Sequence, residues 1–251
     1  MPFRLPERAA KARYVREKFD QIARHYDLFN DLITQGQHRR WKRLLVRRLG
    51  VGPGARGLDL CCGTGDLALR GLASLGPGGG LVAADFSRNM LELARHRLAG
   101  AGDPRVPRLA VCADAMRLPF TAGSFQFVTI GYGLRNVTDL DGCLGELWRV
   151  LAPGGVLASL DVGKVRSPWL RPLARFYLFR VVPRIGRLLQ PGQDMFDYLP
   201  HSTDPFPDQR ALAERMRARG FAEVEVIEFL FGASVIHLAR KAGPAGSRAA
   251  G

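Results

Sequence analysis

A glycine-rich turn between an apolar run and a helical pattern carries the clearest chemistry in this sequence. Residues 57–68 are typical of a short buried strand, a tight turn and the first turn of a helix. Gly63 and Gly65 allow close approach of a ligand, and the start of the following helix, with Asp66 as its expected cap, attracts a phosphate or carboxylate. The spacing matches neither the full dinucleotide-binding glycine pattern nor the nucleotide phosphate loop. We therefore predict a ligand that carries a carboxylate and a nucleoside.

Acidic residues follow the next two apolar runs, at the positions where predicted strands end. Asp85 ends the run 81–84, roughly twenty residues after the glycine turn, where an acid accepts hydrogen bonds from ribose hydroxyls. Its alternative role is to open the helix that follows. Asp114 and Ala115 come after the run 108–113, where an acid beside a small residue suits an adenine. Because the carboxyl ends of parallel strands meet at one edge of a sheet, we expect these groups to share one crevice.

The order of apolar runs and helical patterns predicts an α/β fold with a doubly wound, mostly parallel sheet of seven strands. The predicted strands are 57–60, 81–85, 108–113, 124–130, 156–161, 224–229 and 234–239, and the last two form a C-terminal antiparallel hairpin. Helices are predicted at 66–75, 89–99, 140–151 and 209–219.

The chain divides into three predicted parts: an N-terminal helical lid at 1–50, a ligand-binding domain at 51–241 with an inserted helical cap segment at 163–208, and a disordered tail at 242–251. Within the lid, Gly36 indicates a break in the helix over residues 30–39. A helical lid suits an active site that must exclude water.

Composition indicates a soluble globular protein with an unusual charge. With 251 residues, 47% hydrophobic and 24% charged, the chain has enough apolar side chains for a full core. A net charge of +14 and a pI near 10.6 favour anionic partners, either nucleic acid or an acidic lipid surface, although an arginine-rich genome gives the same bias. The four cysteines have neither a disulfide framework nor metal-ligand spacing, so we expect free thiols in a reducing cytosol and no metal site.

A basic stretch follows the fifth predicted strand. Residues 164–190 contain seven arginines or lysines and no acid, interleaved with apolar residues such as Trp169 and Phe176. The pattern is typical of an interfacial helix on anionic lipid, and equally of a helix packed on the core with a solvated basic face. Because neither a signal peptide nor a membrane span is predicted, we expect a cytoplasmic protein, soluble or peripheral to the membrane.

Four further motifs make the chain resemble a known family. They are Tyr26-Asp27-x-x-Asn30-Asp31, Gly36-x-His38-Arg39-x-Trp41-Lys42, Gly133-Leu134-Arg135-Asn136-Val137 and Phe206-Pro207-Asp208-Gln209. Together with segment 59–65, Asp85, Asp114-Ala115 and Pro153-Gly154-Gly155, they are similar to class I S-adenosylmethionine-dependent methyltransferases, which have a Rossmann-like fold. More narrowly, residues from about 15 to 241 resemble the quinone-biosynthesis C-methyltransferases, the demethylmenaquinone and ubiquinone methyltransferase family. The glycine turn is common among methyltransferases, whereas Gly-Leu-Arg-Asn-Val is far more specific.

The resemblance implies an activity, a cofactor and a site. It implies S-adenosyl-L-methionine as the cofactor and C-methylation of a prenylated quinol, demethylmenaquinol to menaquinol, in menaquinone biosynthesis. The alternatives are a ubiquinone or phylloquinone precursor, RNA, or a non-catalytic scaffold of a quinone-synthesis complex. The implied cofactor-binding residues are Gly63, Thr64, Gly65, Asp85, Asp114, Ala115 and Gly131. The implied catalytic residues are Tyr26, His38, Arg135 and Asn136. The sequence indicates no particular oligomeric state.

Arg135 is the expected electrostatic partner of the acceptor. A quinol carbon becomes nucleophilic when the neighbouring hydroxyl is deprotonated, and an arginine, which stays protonated, stabilises that phenolate in a dry pocket. In its alternative role Arg135 ties its loop to a neighbouring acid. Asn136 is expected to fix the acceptor by hydrogen bonds, while Tyr26, His38 and Trp41 lie near donor and acceptor in the family or otherwise pack within the lid. The candidate proton acceptors are His38, His201, Asp161 and water.

Three departures from the family pattern lie near the expected site. Cys61 stands where the turn commonly has its first glycine, which implies that this position does not need a positive φ. Asp161-Val162 replaces a common Glu-Phe, and His201-Ser202-Thr203 replaces Glu-Ser-Ile. The last two fall on the acceptor side and leave the quinone open, while Gly131-Tyr132-Gly133 resembles photosynthetic-type members and hints at a naphthoquinol ring.

Nucleic acid is not expected as the substrate. The loop after the fourth strand lacks the Asn/Asp-Pro-Pro-Tyr/Phe motif of amino-methylating nucleic-acid enzymes, and the sequence has no Pro-Cys nucleophile of the cytosine C5 type. The intact glycine turn with Asp85 favours retained donor binding over a purely structural role.

Overall fold

The structure is a computed structural model that describes residues 7–192 and 195–243. Its helices are α1 (Arg8–Ile22), α2 (Tyr26–Thr34), α3 (Gln37–Arg48), α4 (Asp66–Leu72), α5 (Arg88–Ala99), α6 (Leu140–Val150), α7 (Arg171–Phe176), α8 (Val182–Leu189), α9 (Met195–Thr203) and α10 (Gln209–Ala218). Its strands are β1 (Arg56–Leu60), β2 (Gly80–Asp85), β3 (Arg108–Cys112), β4 (Phe125–Gly131), β5 (Leu151–Val162), β6 (Phe221–Phe229) and β7 (Ser234–Lys241). Of the predicted tail, Ala242 and Gly243 have no regular secondary structure, and residues 244–251 lie outside the described residues.

The strands form one sheet in the order β3-β2-β1-β4-β5-β7-β6. Strands β1 to β5 pair in parallel, and β7 is antiparallel to both β5 and β6, which confirms the predicted sheet and its C-terminal hairpin. β5 begins at Leu151 rather than at the predicted residue 156, because Leu151 already pairs with Phe125 before the register shifts. The chain runs outward from β1 to β3 and returns on the other side at β4. The carboxyl ends of β1 and β4 therefore form a switch point, where a ligand crevice is expected.

Helices cover both faces of the sheet, so the central strands are apolar on both sides. On one face, Leu58 of β1 packs with Leu147 of α6 and Leu212 of α10. On the other face, Phe127 of β4 packs with Leu45 of α3 and with side chains of α4 and α5. All five side chains are at most 1% exposed. Burial on both faces explains why most residues of β1 and β4 are apolar, and the exceptions Asp59 and Thr129 are buried and hydrogen-bond to each other at 2.6 Å.

The helices α1 to α3, hereafter the lid, pack on residues 163–208, hereafter the cap. One hydrophobic cluster joins Ile22 and Phe29 of the lid to Val182, Phe196 and Tyr198 of the cap. The rings of Phe29 and Phe196 lie 4.7 Å apart between centroids. Lid and cap thus share a core of their own beside the sheet, and the domain boundaries drawn from the sequence stay predictions.

The lid breaks over a shorter stretch than predicted. α2 continues to Thr34, so the break predicted over residues 30–39 is confined to Gln35 and Gly36, which have φ of 50° and 71°. The Gly36 N–H donates to the carbonyl of Asp31 at 2.8 Å. This left-handed ending satisfies a carbonyl at the end of the helix and lets α3 start at once.

Helix α4 begins differently from the prediction. Gly65 occupies the N-cap position, and Asp66 is the first helical residue without a capping hydrogen bond. The Asp66 carboxylate instead accepts a hydrogen bond from Lys42 at 2.9 Å and pairs with Arg70 at 3.0 Å. The acid therefore ties α4 to lid helix α3 and complements the positive end of the helix dipole.

The cap contains a helical run that is exposed along one side. α7 passes through a π-helical turn at Tyr177–Val181 directly into α8, and most side chains over residues 171–180 are exposed. In residues 7–192 and 195–243, no helix combines the length and the apolar character that crossing a membrane requires.

Asp31 is expected to make the lid sensitive to acid. It accepts hydrogen bonds from Arg39 Nε at 2.7 Å and from His38 Nε2 at 2.8 Å, and the Arg39 hydrogen bond is the main cause that lowers the pKa of Asp31 to about 2. Because the pKa of Asp31 is lower in the folded chain than in the unfolded chain, its contacts stabilise the fold fully at pH values above the unfolded-state pKa of 3.8. This stabilisation is lost as the pH falls through about 2. Asp31→Asn should lower the free energy of unfolding by about 1–2 kcal/mol near pH 7, after allowance for solvent screening.

Urea unfolding at several pH values measures this difference. The gap between the parent and Asp31→Asn should narrow as the pH falls from about 4 towards 2. Glu223→Gln, which changes an exposed carboxyl on β6, is the control and should leave the free energy unchanged. A difference in the free energy of unfolding that stays constant between pH 4 and pH 2 would contradict the lowered pKa of Asp31.

Candidate active site

The turn after β1 has left-handed backbone at three positions. Cys61, Gly63 and Gly65 have φ of 52°, 55° and 82°. The prediction that Cys61 does not need a positive φ is wrong, because the chain reverses directly after β1 and holds this cysteine in a conformation that costs roughly 1–3 kcal/mol. A Cβ at Gly133 would lie 2.7 Å from the Cβ of Cys61. The loop after β4 therefore packs closely on the turn and helps to maintain its strained shape.

Asp85 ends β2 and connects the glycine turn to the next helix. Its Oδ2 accepts a hydrogen bond from the Gly63 N–H and its Oδ1 accepts one from the Ser87 N–H, both at 2.8 Å. Ser87 accepts a capping bond from the Met90 N–H and donates its hydroxyl to Asp20 of α1. Burial raises the pKa of Asp85, while the backbone donors oppose that rise. Each carboxylate oxygen keeps a further lone pair, so Asp85 can still accept from ligand hydroxyls.

A cavity of about 110 Å³, hereafter the strand-end cavity, lies at the carboxyl ends of β1 to β4. The structure brings together in its wall the expected site residues Tyr26, Gly63, Asp85, Asp114, Ala115, Gly131 and Asn136. It does not bring Thr64, Gly65, His38 or Arg135 into that wall. The strand ends thus meet in one crevice, as the parallel sheet requires.

The residues of the strand-end cavity fit the implied cofactor. Asp85 and Asp114 offer carboxylate oxygens that suit ribose hydroxyls and an adenine amino group. The buried Oδ1 of Asn136 has no hydrogen-bond partner in the part of the chain that the structure describes. A Cβ at Gly131 would lie only 2.8 Å from Leu67, so close packing against α4 requires glycine at this position of the wall. The cavity therefore presents acceptors and bare backbone where a nucleoside would lie.

A larger cavity of about 540 Å³, hereafter the lid–cap cavity, lies between the lid, the cap and the end of the sheet. Its wall is mainly apolar and includes Phe29, Ile33, Trp41, Leu178, Val182 and Phe196. Phe19, Tyr26 and Tyr132 line both cavities. Tyr132 has φ of 57°, a second strained non-glycine residue at the switch point. The two cavities therefore meet at three aromatic side chains.

Arg135 lies on a 3₁₀ turn, Leu134–Asn136, and lines the lid–cap cavity. Its Nη1 donates to Asp161 Oδ1 at 2.7 Å and to the carbonyl of Tyr132 at 2.9 Å. The side chains of this ion pair are only 6% and 3% exposed. The structure thus places the expected catalytic arginine at the larger cavity, and it also shows the contact with a neighbouring acid that belongs to the alternative role.

Tyr26 and Asn136 line the strand-end cavity, and Tyr26 also lines the lid–cap cavity together with Arg135. Burial raises the pKa of Tyr26, and the nearby Arg135 charge only partly opposes that rise, so the phenol stays protonated near neutral pH. Its ring packs edge-on against Phe19, with 5.8 Å between centroids. The Asn136 Nδ2 donates to the carbonyl of Tyr132 at 3.1 Å. These contacts fix the side chains that separate the two cavities.

The three side-chain candidates for the proton acceptor, His38, His201 and Asp161, lie outside both cavity walls. His38 is 2% exposed inside the lid, where its Nε2 bonds to Asp31 and burial lowers its pKa. His201 bonds through Nδ1 to the carbonyl of Asp197 at 2.7 Å and packs against Phe179. His38 therefore packs within the lid, the alternative role considered for it. Over residues 7–192 and 195–243, no cluster of His, Cys, Asp or Glu side chains is arranged to hold a metal ion.

Thr64 belongs to a contact between the lid and the glycine turn. Its hydroxyl donates to Asp27 of α2 at 2.8 Å, and Arg97 of α5 donates to both the Asp27 carboxylate and the Thr64 carbonyl at 3.0 Å. The Thr64 side chain thus faces the lid helix rather than the strand-end cavity. We infer that it affects donor binding through lid closure.

We expect Thr64→Val and Asp27→Ala to raise the KM for S-adenosylmethionine by roughly three- to tenfold and to change kcat little, because a hydrogen bond to a charged group contributes about 1.5–3 kcal/mol before solvent exposure reduces it. The double variant should be no worse than Asp27→Ala alone, since Asp27→Ala already removes the bond from Thr64 together with the ion pair to Arg97. Steady-state kinetics with varied donor measures this. If the effects of the two substitutions on the KM for the donor were additive in free energy, Thr64 would instead contact the donor itself.

Several residues at the site escaped the sequence analysis. Phe19 lines both cavities from α1, and Lys11 of the same helix donates to the carbonyls of Arg135 and Val137 at 3.1 Å and 2.8 Å. Lys11 precedes its partners by more than 120 residues and matches no motif, so no local pattern reveals it. For Phe19, the helical spacing of the aromatic residues in the lid was the available signal.

The fold and the strand-end cavity define the class of protein. The chain is similar to an S-adenosylmethionine-dependent methyltransferase from Thermotoga maritima, with a TM-score of 0.63 and 20% identity over 90% of this chain and 99% of that one. It is also similar to phosphoethanolamine N-methyltransferase 2 from Haemonchus contortus, solved with S-adenosylhomocysteine, with a TM-score of 0.57 and 18% identity over 81% of this chain and 52% of that one. The fold is that of the class I S-adenosylmethionine-dependent methyltransferases.

Sequence comparison narrows the class to a family. Residues 7–241 match the model of the ubiE/COQ5 methyltransferase family, so the chain belongs to this family. A demethylmenaquinone methyltransferase from Leptospira interrogans is 42% identical over 95% of this chain and 97% of its own. A demethylmenaquinone methyltransferase from Geobacillus stearothermophilus is 37% identical over 93% of this chain and 99% of the relative. The ubiquinone/menaquinone biosynthesis C-methyltransferase UbiE from Xanthomonas oryzae is 39% identical over 90% of this chain and 89% of the relative. The protein is an S-adenosylmethionine-dependent C-methyltransferase, which confirms the resemblance and the cofactor predicted from the sequence.

Proposed function

We propose that the enzyme methylates a ring carbon of demethylmenaquinol and forms menaquinol, in menaquinone biosynthesis. Relatives named demethylmenaquinone methyltransferase match nearly the whole chain at 37–42% identity. The observation that carries the proposal is the meeting of two unlike cavities at Phe19, Tyr26 and Tyr132. One offers carboxylate acceptors to a polar donor, and the other offers an apolar wall to a prenylated ring.

Binding and alignment are the first contribution of the chain. S-adenosylmethionine, when bound, supplies an electrophilic methyl group on a sulfonium. Asp85 would hold the ribose hydroxyls, and Asp114 with Ala115 would flank the adenine. Tyr26 and Tyr132 stand where donor and acceptor would meet, so they restrict the approach and exclude water. Because an in-line displacement depends on alignment, this positioning supplies much of the rate.

Stabilisation of the acceptor anion is the second contribution. A quinol carbon attacks more readily when its neighbouring hydroxyl has lost its proton, and the negative charge then needs a partner in a dry cavity. Arg135 lines the lid–cap cavity, and its buried Nε has no hydrogen-bond partner among the described residues. It therefore keeps one donor for the acceptor oxygen while Nη1 binds Asp161. The amide of Asn136, which was expected to fix the acceptor, lines only the strand-end cavity and adds a neutral polar group there.

A ubiquinone precursor is a second candidate acceptor. The Xanthomonas oryzae relative, whose name covers both ubiquinone and menaquinone biosynthesis, is 39% identical over 90% of this chain. A phylloquinone precursor would need the same apolar cavity. RNA is disfavoured because the larger cavity is lined mainly by apolar side chains, and a scaffold role would leave the acceptors of the strand-end cavity without use.

The proposal includes a cytoplasmic location at the surface of a membrane. The four cysteines are free thiols, which suits a reducing compartment. A prenylated quinol partitions into a bilayer, so an enzyme that acts on it benefits from peripheral contact with lipid. Fractionation of cells that produce the tagged protein would test both statements.

The activity assay uses labelled S-adenosylmethionine with separate naphthoquinol, benzoquinol and RNA preparations. Under the proposal, label enters the naphthoquinol fraction and requires the reduced ring, because only the quinol forms the nucleophilic phenolate. Preferred labelling of benzoquinol would move the assignment to a ubiquinone precursor. Label in RNA, or no label in any fraction despite donor binding, would overturn the proposal.

A further inference from the structure

Two segments of the chain present large apolar side chains to solvent beside each other. Before and within α7, Trp169, Leu173 and Phe176 are 89%, 64% and 58% exposed. In the turn between β6 and β7, Leu230 and Phe231 are 57% and 71% exposed. The Arg166 N–H donates to the Phe231 carbonyl at 3.3 Å, which joins the two segments. Together these five side chains form what we call the apolar rim.

The apolar rim has the geometry of a built surface rather than of scattered residues. Trp169, Leu173 and Phe176 are spaced by four and three positions, so they lie on one face of the helical run. Leu230 and Phe231 have φ of 48° and 56°, a left-handed conformation that apolar L-residues rarely adopt. The strained turn holds both side chains outward. Contiguous exposed apolar side chains of this size mark an interaction surface.

The rim also adjoins the lid–cap cavity. Ala174, Leu178 and Val182, on the opposite face of the same helical run, line that cavity, and so does Leu230 of the rim. Arg171 and Arg175 belong to both the exposed run and the cavity wall. The rim therefore belongs to the same helical run and turn that form part of the wall of the space proposed for the acceptor.

The positive charge beside the rim indicates which kind of partner the rim contacts. The segment from Lys164 to Gln190 has seven basic residues and no acid. Three of the seven, Arg166, Arg175 and Arg187, pair with acids outside the segment, whereas the charge argument rests on the exposed Arg180 and Arg184. A second copy of the chain would place the same basic surface against itself in a symmetric dimer, which repulsion opposes. An anionic bilayer instead combines negative head groups with an apolar interior, and this matches both the arginines and the rim.

We infer that the apolar rim inserts into an anionic phospholipid bilayer and that the prenylated acceptor passes from the bilayer directly into the lid–cap cavity. The inference rests on the proposed function for the nature of the acceptor. The membrane-docking surface follows from the exposed side chains and the charge alone. Membrane docking would thus deliver a substrate that hardly dissolves in water.

Vesicle sedimentation tests the docking with the full chain. The parent should sediment with phosphatidylcholine vesicles that contain phosphatidylglycerol, and Trp169→Ser/Phe231→Ser should lower the partition coefficient about tenfold or more. Arg180→Glu/Arg184→Glu should cause a similar loss on anionic vesicles and little change on pure phosphatidylcholine. Leu109→Ser, a 61% exposed leucine on β3 at the opposite edge of the sheet, is the apolar control. Arg95→Glu/Arg105→Glu is the charge control, and both controls should sediment like the parent.

Activity in two formats separates this inference from the proposed function. With a water-soluble naphthoquinol that lacks the prenyl chain, Trp169→Ser/Phe231→Ser should turn over like the parent. With a prenylated quinol embedded in anionic vesicles, the turnover rate of the variant should be about tenfold lower than that of the parent.

The docking would be overturned by any of three results. These are equal sedimentation of variant and parent, a parent that does not sediment, and a change of oligomeric state in the variant. Loss of sedimentation with an unchanged rate on embedded quinol would overturn the direct passage. Absence of turnover on both quinols by the parent would instead count against the proposed function.

Discussion

Replacing Arg135 by alanine is expected to lower kcat about a hundredfold or more, the scale of removing one donor to an oxyanion. The guanidinium would interact with charge that forms on the acceptor oxygen, so its contribution belongs to the transition state and hardly to the binding of a neutral quinol. The affinity for S-adenosylmethionine should stay nearly constant, because Arg135 does not line the strand-end cavity. Single-turnover kinetics with a soluble naphthoquinol, together with calorimetric titration of the donor, measures both quantities.

The ion pair with Asp161 requires controls. Loss of Arg135 leaves a buried carboxylate without its partner and should cost about 3–5 kcal/mol of stability. Asp161→Asn keeps the guanidinium and should retain more turnover than Arg135→Ala. The double variant Arg135→Ala/Asp161→Asn removes both charges and should recover stability without recovering kcat. Arg135→Lys should restore part of the rate, since an ammonium keeps the charge and loses the planar fork.

If the double variant is both stable and nearly as active as the parent, Arg135 only ties its loop to Asp161. The same result would remove the main electrostatic step from the proposed mechanism. Measuring the melting temperature of each variant beside its kcat keeps the two roles distinguishable.

Replacing Asp85 by alanine is expected to weaken donor binding by about 2–4 kcal/mol, and thus to raise the Kd at least tenfold, through the loss of charge-assisted bonds to the ribose. The structure adds a second effect, because Asp85 also accepts from the Gly63 and Ser87 N–H groups and so shapes the turn. Calorimetric titration with S-adenosylmethionine and with adenosine separates ribose contacts from contacts to the rest of the donor. Both affinities should fall together.

Asp85→Asn is the matched variant, since it keeps the size of the side chain and one acceptor oxygen. It should bind the donor better than Asp85→Ala and worse than the parent. Because burial raises the pKa of Asp85, donor affinity should also decline as the pH falls through that raised value, and the decline should be absent in Asp85→Asn. An unchanged Kd in Asp85→Ala would refute the ribose assignment.

The parallel core could be predicted because its signals are local. The apolar runs that form β1, β2 and β4 are buried on both faces, and glycines and acids mark their ends. The hairpin of β6 and β7 followed from two late apolar runs with a short turn. The extent of α2 is harder to predict, since Gln35 and Gly36 end the helix by left-handed backbone, while Thr34, a β-branched residue with low helix propensity, remains inside it.

The parts of the site that escaped prediction depend on distant partners. Cys61 takes a positive φ because the chain reverses directly after β1, and the loop after β4 packs against it there, whereas its residue type suggests the opposite. Asp161 was expected at the crevice, but its pairing with Arg135 across 26 positions has no periodic signal. His38 belongs to a family motif, yet membership in a motif does not reveal that the side chain packs inside the lid.

The polar contacts of the lid bear on exchange at the site. Lys11 reaches the loop after β4, Asp20 reaches the turn after β2, and Asp27 reaches the turn after β1. Three successive points on two helices therefore connect to three strand ends, and release of the spent donor would require these contacts to open. The rate of lid opening would then set an upper limit on the number of cycles per second, alongside the rate of the transfer that Arg135 is expected to govern.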